Sequence, residues 1–98
     1  MLHEYLSHGS GNAVSAADLS KTTGLTPREI RRTAERERLA GHLILSDDSG
    51  YYLPSEDPAL ARMEITRWMA KCTATAGTIL QTVEMARKIL ERDFHEPA

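Results

Sequence analysis

The segment Ser15–Gly41, "SAADLSKTTGLTPREIRRTAERERLAG", constrains the fold more than any other part of the chain. It carries two helix starts and two helix stops in close succession. Ser15 is suited to the N-cap of a first helix, and Asp18, three residues on, places a carboxylate in its first turn. Gly24 then occupies the C′ position, where a positive φ costs glycine little. The second start is stronger: Thr26 as N-cap, Pro27 at N1 and Glu29 at N3. Gly41 closes this helix, which is predicted over Pro27 to about Ala40. Two capped helices joined by "TGLT" form a helix-turn-helix pair.

The flanking segments complete an ordered set of elements. Leu2, Tyr5 and Leu6 have helical spacing, so a short helix is predicted ahead of Gly9-Ser10-Gly11, with Val14 in a short bridging strand. After Gly41 the period changes. Leu43-Ile44-Leu45 and Tyr51-Tyr52-Leu53 are β-type runs around the turn-rich "SDDSG", which predicts a hairpin stopped by Pro54. "SEDP" then caps a helix predicted from Pro58 to about Phe94. Ile65, Met69, Cys72, Ala76, Ile79, Val83, Ala86 and Leu90 form an alternating four-three stripe along it. The threonines and Gly77 of "KCTATAGT" are poor helix formers, so a kink or break is expected near Gly77. The fold class is therefore mainly α with a small β-hairpin, residues 1–54 forming one domain and 55–98 a helical extension.

Composition sets outer limits. With 98 residues, 41% hydrophobic and 27% charged, the chain has a globular rather than a disordered composition. A formal net charge of −2 gives no overall attraction to nucleic acid, so any such affinity must come from local clustering. Cys72 is the only cysteine and excludes an intrachain disulfide, which fits a reducing cytoplasm. "MLHEYLSHG" has no basic segment or long apolar run, so neither a signal peptide nor a membrane span is expected. Histidines 3, 8, 42 and 95 share no metal-ligand spacing with Cys72, and no serine has an acid-base partner at a recognised spacing. No enzyme, metal or cofactor is expected, and Cys72 is expected to be a buried thiol.

The succession "AVSAADLSKTTGLTPREIRR", "LAGHLI" and "LILSDDSGYYL" resembles the winged helix-turn-helix family over residues 1 to 54. With the long helix that follows, it is similar to small winged-helix proteins encoded by bacterial phages and prophages. The resemblance implies a winged helix-turn-helix fold and double-stranded DNA as the usual partner, in transcription regulation or a phage replication role. It equally implies an alternative, because winged helices of this kind also serve as protein-interaction modules.

The second helix of the pair holds five arginines and three glutamates between Arg28 and Arg38. If Ile30 and Ala34 face the core, Arg28, Arg32, Glu35, Arg36 and Leu39 face away, with Arg31 and Arg38 on the flanks. Arg28 and Arg32, near the helix N-terminus, are the candidates for base edges, and Arg31, Arg36 and Arg38 for phosphates. A competing reading leaves these residues as a solvated surface. Glu29–Arg32 and Arg31–Glu35 have spacings that let them pair and neutralise one another. Three features depart from the family pattern. Asp47 and Asp48 occupy a wing tip that a DNA grip would make basic. Glu37 stands where a core leucine is usual, so it must find a buried partner or the helix is rotated. Leu39 points outward.

A helix of about 36 residues would reach roughly 54 Å if straight. Its first half is expected to dock Met63, Ile65, Trp68 and Met69 on the chain's own core. Its second half is expected to form a homodimer through Cys72, Ala76, Ile79, Val83, Ala86 and Leu90. Flanking positions are mostly uncharged, unlike a charge-specified parallel zipper, which favours a helical bundle or antiparallel pair.

Overall fold

The computed structural model describes residues 1–94. The chain is mainly helical, with a two-stranded antiparallel hairpin and a long C-terminal helix. Its elements are α1 (Ala16–Thr23), α2 (Pro27–Leu39), β1 (Leu45–Asp47), β2 (Gly50–Tyr52) and α3 (Pro58–Asp93), preceded by 3-10 turns at Leu2–Tyr5 and Ser10–Asn12. It divides into two compact units, Met1–Trp68 and Met69–Ala98, with the division inside α3.

In the first unit the helix starts and stops follow local chemistry. The Ser15 hydroxyl accepts from the Asp18 N–H and the Thr26 hydroxyl from the Glu29 N–H, so each N-cap is satisfied. Gly24, at φ 76°, ends α1. Gly41, at φ 102°, ends α2 in a paired closure, with the Gly41 N–H on the Arg38 carbonyl and the His42 N–H on the Glu37 carbonyl. The core is aliphatic: Leu2, Leu6, Leu19, Ile30, Ala34 and Ile44, with Val14, Leu25, Tyr51 and Leu53 packed against it.

The hairpin is shifted from its predicted position. Its strands pair Leu45 with Tyr52, Ser46 with Tyr51 and Asp47 with Gly50, leaving a turn of only Asp48 and Ser49. The Asp47 carboxylate accepts from the Ser49 N–H, which closes the turn early and extends the ladder into "SD". Leu43 and Ile44 are not strand, and the Ile44 carbonyl instead accepts from Arg38 Nε. The expected bridging role of Val14 is present: its N–H and carbonyl both bond Tyr51, on the far side of β2 from β1. The expected first helix is a 3-10 turn, held at its N-terminus by a side chain from α2 described below.

The expected break at Gly77 does not occur, because α3 is continuous from Pro58 to Asp93. Asp57 caps its start, accepting from the Ala59 N–H. Of the residues expected to dock, Ile65 and Trp68 are half-buried, whereas Met63 and Met69 are exposed. No helix among the described residues is long and apolar enough to cross a membrane. The second unit is the remainder of α3. Thr78 and Thr82 hydroxyls there bond the carbonyls of Ala74 and Thr78, and every described side chain except the Gly77 position is exposed.

Candidate nucleic-acid interface

Helix α2 divides sharply into two faces. Ile30, Ala34 and Glu37, at spacings of four and three, are buried, at 0%, 0% and 5% exposure. The opposite side carries Arg28, Arg31, Arg32, Glu35, Arg36 and Leu39, all exposed. Helical periodicity alone produces this division, because the buried residues fall on a single stripe.

The glutamates that matched the arginines in spacing do not neutralise them. Among the described residues, no ion pair joins Glu29 to Arg32 or Arg31 to Glu35, and Arg28 and Arg36 form none either. These four arginines therefore project free guanidinium groups from a helix whose other side is fixed in the core. Arg38 is placed differently. Its Nε donates to the Ile44 carbonyl, and its guanidinium lies 4.9 Å from the centroid of the Trp68 ring. It ties the end of α2 to the hairpin approach and to the first part of α3.

Glu37 resolves the anomaly of a carboxylate at a core position. One oxygen accepts the Leu2 N–H at 2.8 Å. The other accepts the His3 N–H at 3.1 Å and faces His3 Nδ1 at 2.5 Å. The carboxylate thus occupies the N-terminus of the first 3-10 turn, where free N–H groups favour an anion. The His3 ring stacks on His42, with centroids 3.9 Å apart. Burial pushes the Glu37 carboxyl up. The hydrogen bonds from the His3 ring, the His3 N–H and the Leu2 N–H, with the His3 charge, outweigh it, and the net direction is down. Sequence spacing could not reveal this partnership across 34 and 35 positions; its only trace was a glutamate on an apolar stripe.

A second carboxylate works similarly and left no trace in the sequence. Glu64 of α3 accepts the Ser10 N–H at 2.8 Å and the Ser55 N–H at 2.7 Å. Near it, the Tyr52 phenol is held above its ordinary value, by burial first and then by the charges of Asp47 and Glu64, with Arg67 opposing.

The hairpin tip presents exposed Asp47 and Asp48, so it offers negative charge where the arginines offer positive. Leu39 is 92% exposed, at the C-terminal end of the arginine face. Among the described residues, no cluster of His, Cys, Asp or Glu is arranged to hold a metal ion. His95 lies outside the described residues. Cys72 is exposed and not a buried thiol. Ala76, Ile79, Val83, Ala86 and Leu90, the other residues expected to pair, are likewise exposed. Comparison with family models, with curated proteins and with solved structures gave no significant match to this chain.

Proposed function

We propose that the chain is a DNA-binding module of winged helix-turn-helix type, with α2 as the helix that enters the major groove. The observation that carries the reading is the set of four exposed arginines on α2 that form no ion pair among the described residues, opposite a face buried at Ile30, Ala34 and Glu37. The order of elements supports it: α1, a tight turn, α2, then the hairpin, with Val14 bridging to the outer side of β2. In this reading Arg28 and Arg32, closest to the N-terminus of α2, reach base edges, where an arginine can bond guanine O6 and N7 together. Arg31 and Arg36 meet phosphates. Arg38, engaged by Ile44 and Trp68, holds the helix end in place.

The test is DNA binding by fluorescence anisotropy across a salt series, on wild type and on the double variant Arg28→Ala/Arg32→Ala. Each phosphate-contacting arginine removed lowers the salt slope by about 1, whereas loss of a base-reading arginine flattens discrimination between sequences. No binding by the wild type at low salt sinks the reading.

A second reading, a winged-helix interaction module of the phage and prophage kind, is favoured by one observation. Leu39 stands almost fully exposed beside the arginines, and the hairpin tip is acidic. A leucine contributes nothing to phosphate contact, whereas covering so exposed an apolar side chain with a partner is favourable by about 1.5–3 kcal/mol. Leu39→Ser separates the two, since it leaves DNA affinity unchanged under the first reading and removes a central contact under the second.

A further inference from the structure

The C-terminal part of α3 has a composition its surroundings do not explain. From Cys72 to Val83 there are twelve residues without a charge, and from Met69 to Phe94 every described residue but Gly77 is exposed. Such a stretch lacks the charged face that a surface helix sets opposite its apolar one. The segment also contains Thr73, Thr75, Gly77, Thr78 and Thr82, residues of low helix propensity. An isolated helix of such composition is marginal in water, since helices of this length draw most of their stability from packing.

We infer that Met69–Phe94 pairs antiparallel with the same segment of a second copy of this chain. Met69, Ile79, Leu80, Val83, Ile89, Leu90 and Phe94, on or flanking the stripe, are between 38% and 68% exposed. At roughly 100 Å² apiece they present on the order of 700 Å² of apolar surface, close to the ~800 Å² each partner contributes to a standard stable interface. A patch of that size is not maintained open by a soluble monomer. The pattern is also self-complementary. An antiparallel pairing centred at the level of Gln81 sets Ile79 against Val83 of the second copy, Ala76 against Ala86, and Cys72 against Leu90. A parallel zipper would be specified by charge pairs flanking the stripe, and Thr73, Thr75, Leu80 and Thr82 occupy those positions instead. The small side chains at Cys72, Ala76 and Ala86 allow close approach of the two backbones.

This pairing does not rest on DNA binding, and either can fail without the other. The full chain is examined by sedimentation equilibrium over a wide concentration range, alongside Ile79→Glu/Val83→Glu. The wild type is expected at twice the chain mass. The double variant should dissociate on the order of 100-fold more readily, since two glutamates per chain would be buried without partners. An unchanged Trp68 fluorescence spectrum shows that the first unit remains folded in the variant. Orientation is read from mild oxidation. Leu90→Cys should form a covalent dimer quickly, through bonding to Cys72 of the second copy, and the wild type should not. A monomeric wild type overturns the pairing. Rapid crosslinking of the wild type through Cys72 alone overturns the antiparallel register.

Discussion

Replacing Glu37 by alanine tests the internal logic of the first unit most directly. The carboxylate is 5% exposed and accepts from the Leu2 N–H, the His3 N–H and His3 Nδ1. Hydrogen bonds to a charged group contribute about 1.5–3 kcal/mol each, and a buried donor left unpaired costs about 1–3 kcal/mol. Against these stands the desolvation of the carboxylate, which alanine removes. Leu2 is 2% exposed, so its N–H cannot turn to water without lifting a core side chain. That alternative costs a similar amount, about 1.5–3 kcal/mol of lost burial. Either route leads to a net loss of about 3 kcal/mol, a large part of the ~5–15 kcal/mol that holds a small domain folded. At 4–8 °C per kcal/mol, the midpoint falls by about 12–24 °C.

The assay is equilibrium unfolding at one fixed protein concentration, followed by Trp68, the only tryptophan. The pH dependence supplies an independent check. The folded-state pKa of Glu37 lies below its ordinary 4.5, so the unfolded chain binds the proton more readily. The stabilisation is therefore fully present above pH 4.5 and is lost as pH falls through the depressed folded value. Glu37→Gln keeps the shape and one acceptor oxygen but cannot ionise. The stability gap between wild type and this variant should close as the solution is acidified through that window. A loss below about 1 kcal/mol in Glu37→Ala, or a gap that widens in acid, refutes the reasoning.

Two further substitutions probe how the N-terminal segment is held. Gly50 has φ 134°, and a Cβ there would sit 2.2 Å from the Val14 carbonyl oxygen. Gly50→Ala should cost about 3 kcal/mol, from backbone strain plus the two Val14–Tyr51 hydrogen bonds, and accelerate exchange of the Val14 and Tyr51 amide protons; native-like protection at both would contradict this. Glu64→Ala should cost about 2 kcal/mol by releasing the Ser10 and Ser55 N–H groups, seen as a lower urea midpoint, and an unchanged midpoint would show that water replaces the carboxylate without loss.

What the sequence disclosed and what it hid divide by the range of the interactions. The starts and stops of α1 and α2 were legible because Ser15, Thr26, Gly24 and Gly41 act within a few residues of themselves. The two faces of α2 were legible for the same reason, since 3.6-residue periodicity needs no partner to be read. The strand limits were displaced because Arg38 takes the Ile44 carbonyl, a choice made by a side chain six residues away. The N-terminal segment closes as a 3-10 turn at Leu2–Tyr5, and the carboxylate that holds its Leu2 N–H comes from Glu37, 35 residues distant, beyond the reach of local spacing. At Gly77 a single glycine did not interrupt α3, consistent with a cost of only about 1 kcal/mol against alanine. Glu29 and Glu35 show the converse error: correct spacing for an ion pair does not make one when both partners are solvated.

The same sorting sets a ceiling on how α2 can hold DNA. Its five arginines and three glutamates look mixed in sequence, but Glu37 is spent on the N-terminal turn and Arg38 on Ile44 and Trp68. Four arginines remain on the exposed side, accompanied by Glu29 and Glu35. The acidic hairpin tip adds no grip of its own, since Asp47 and Asp48 repel phosphate. If α2 supplies the cations, at most four counterions are released per chain, and the slope of log K against log salt should be about −4 or shallower. Each chain of an antiparallel pair would add its own share. A slope clearly steeper per chain would mean that other cations, such as Lys21 of α1, join the contact, and the assignment of binding to the α2 arginines would have to be given up. A slope near zero with measurable affinity would instead direct attention to Leu39, the exposed residue on this face with no use for a phosphate.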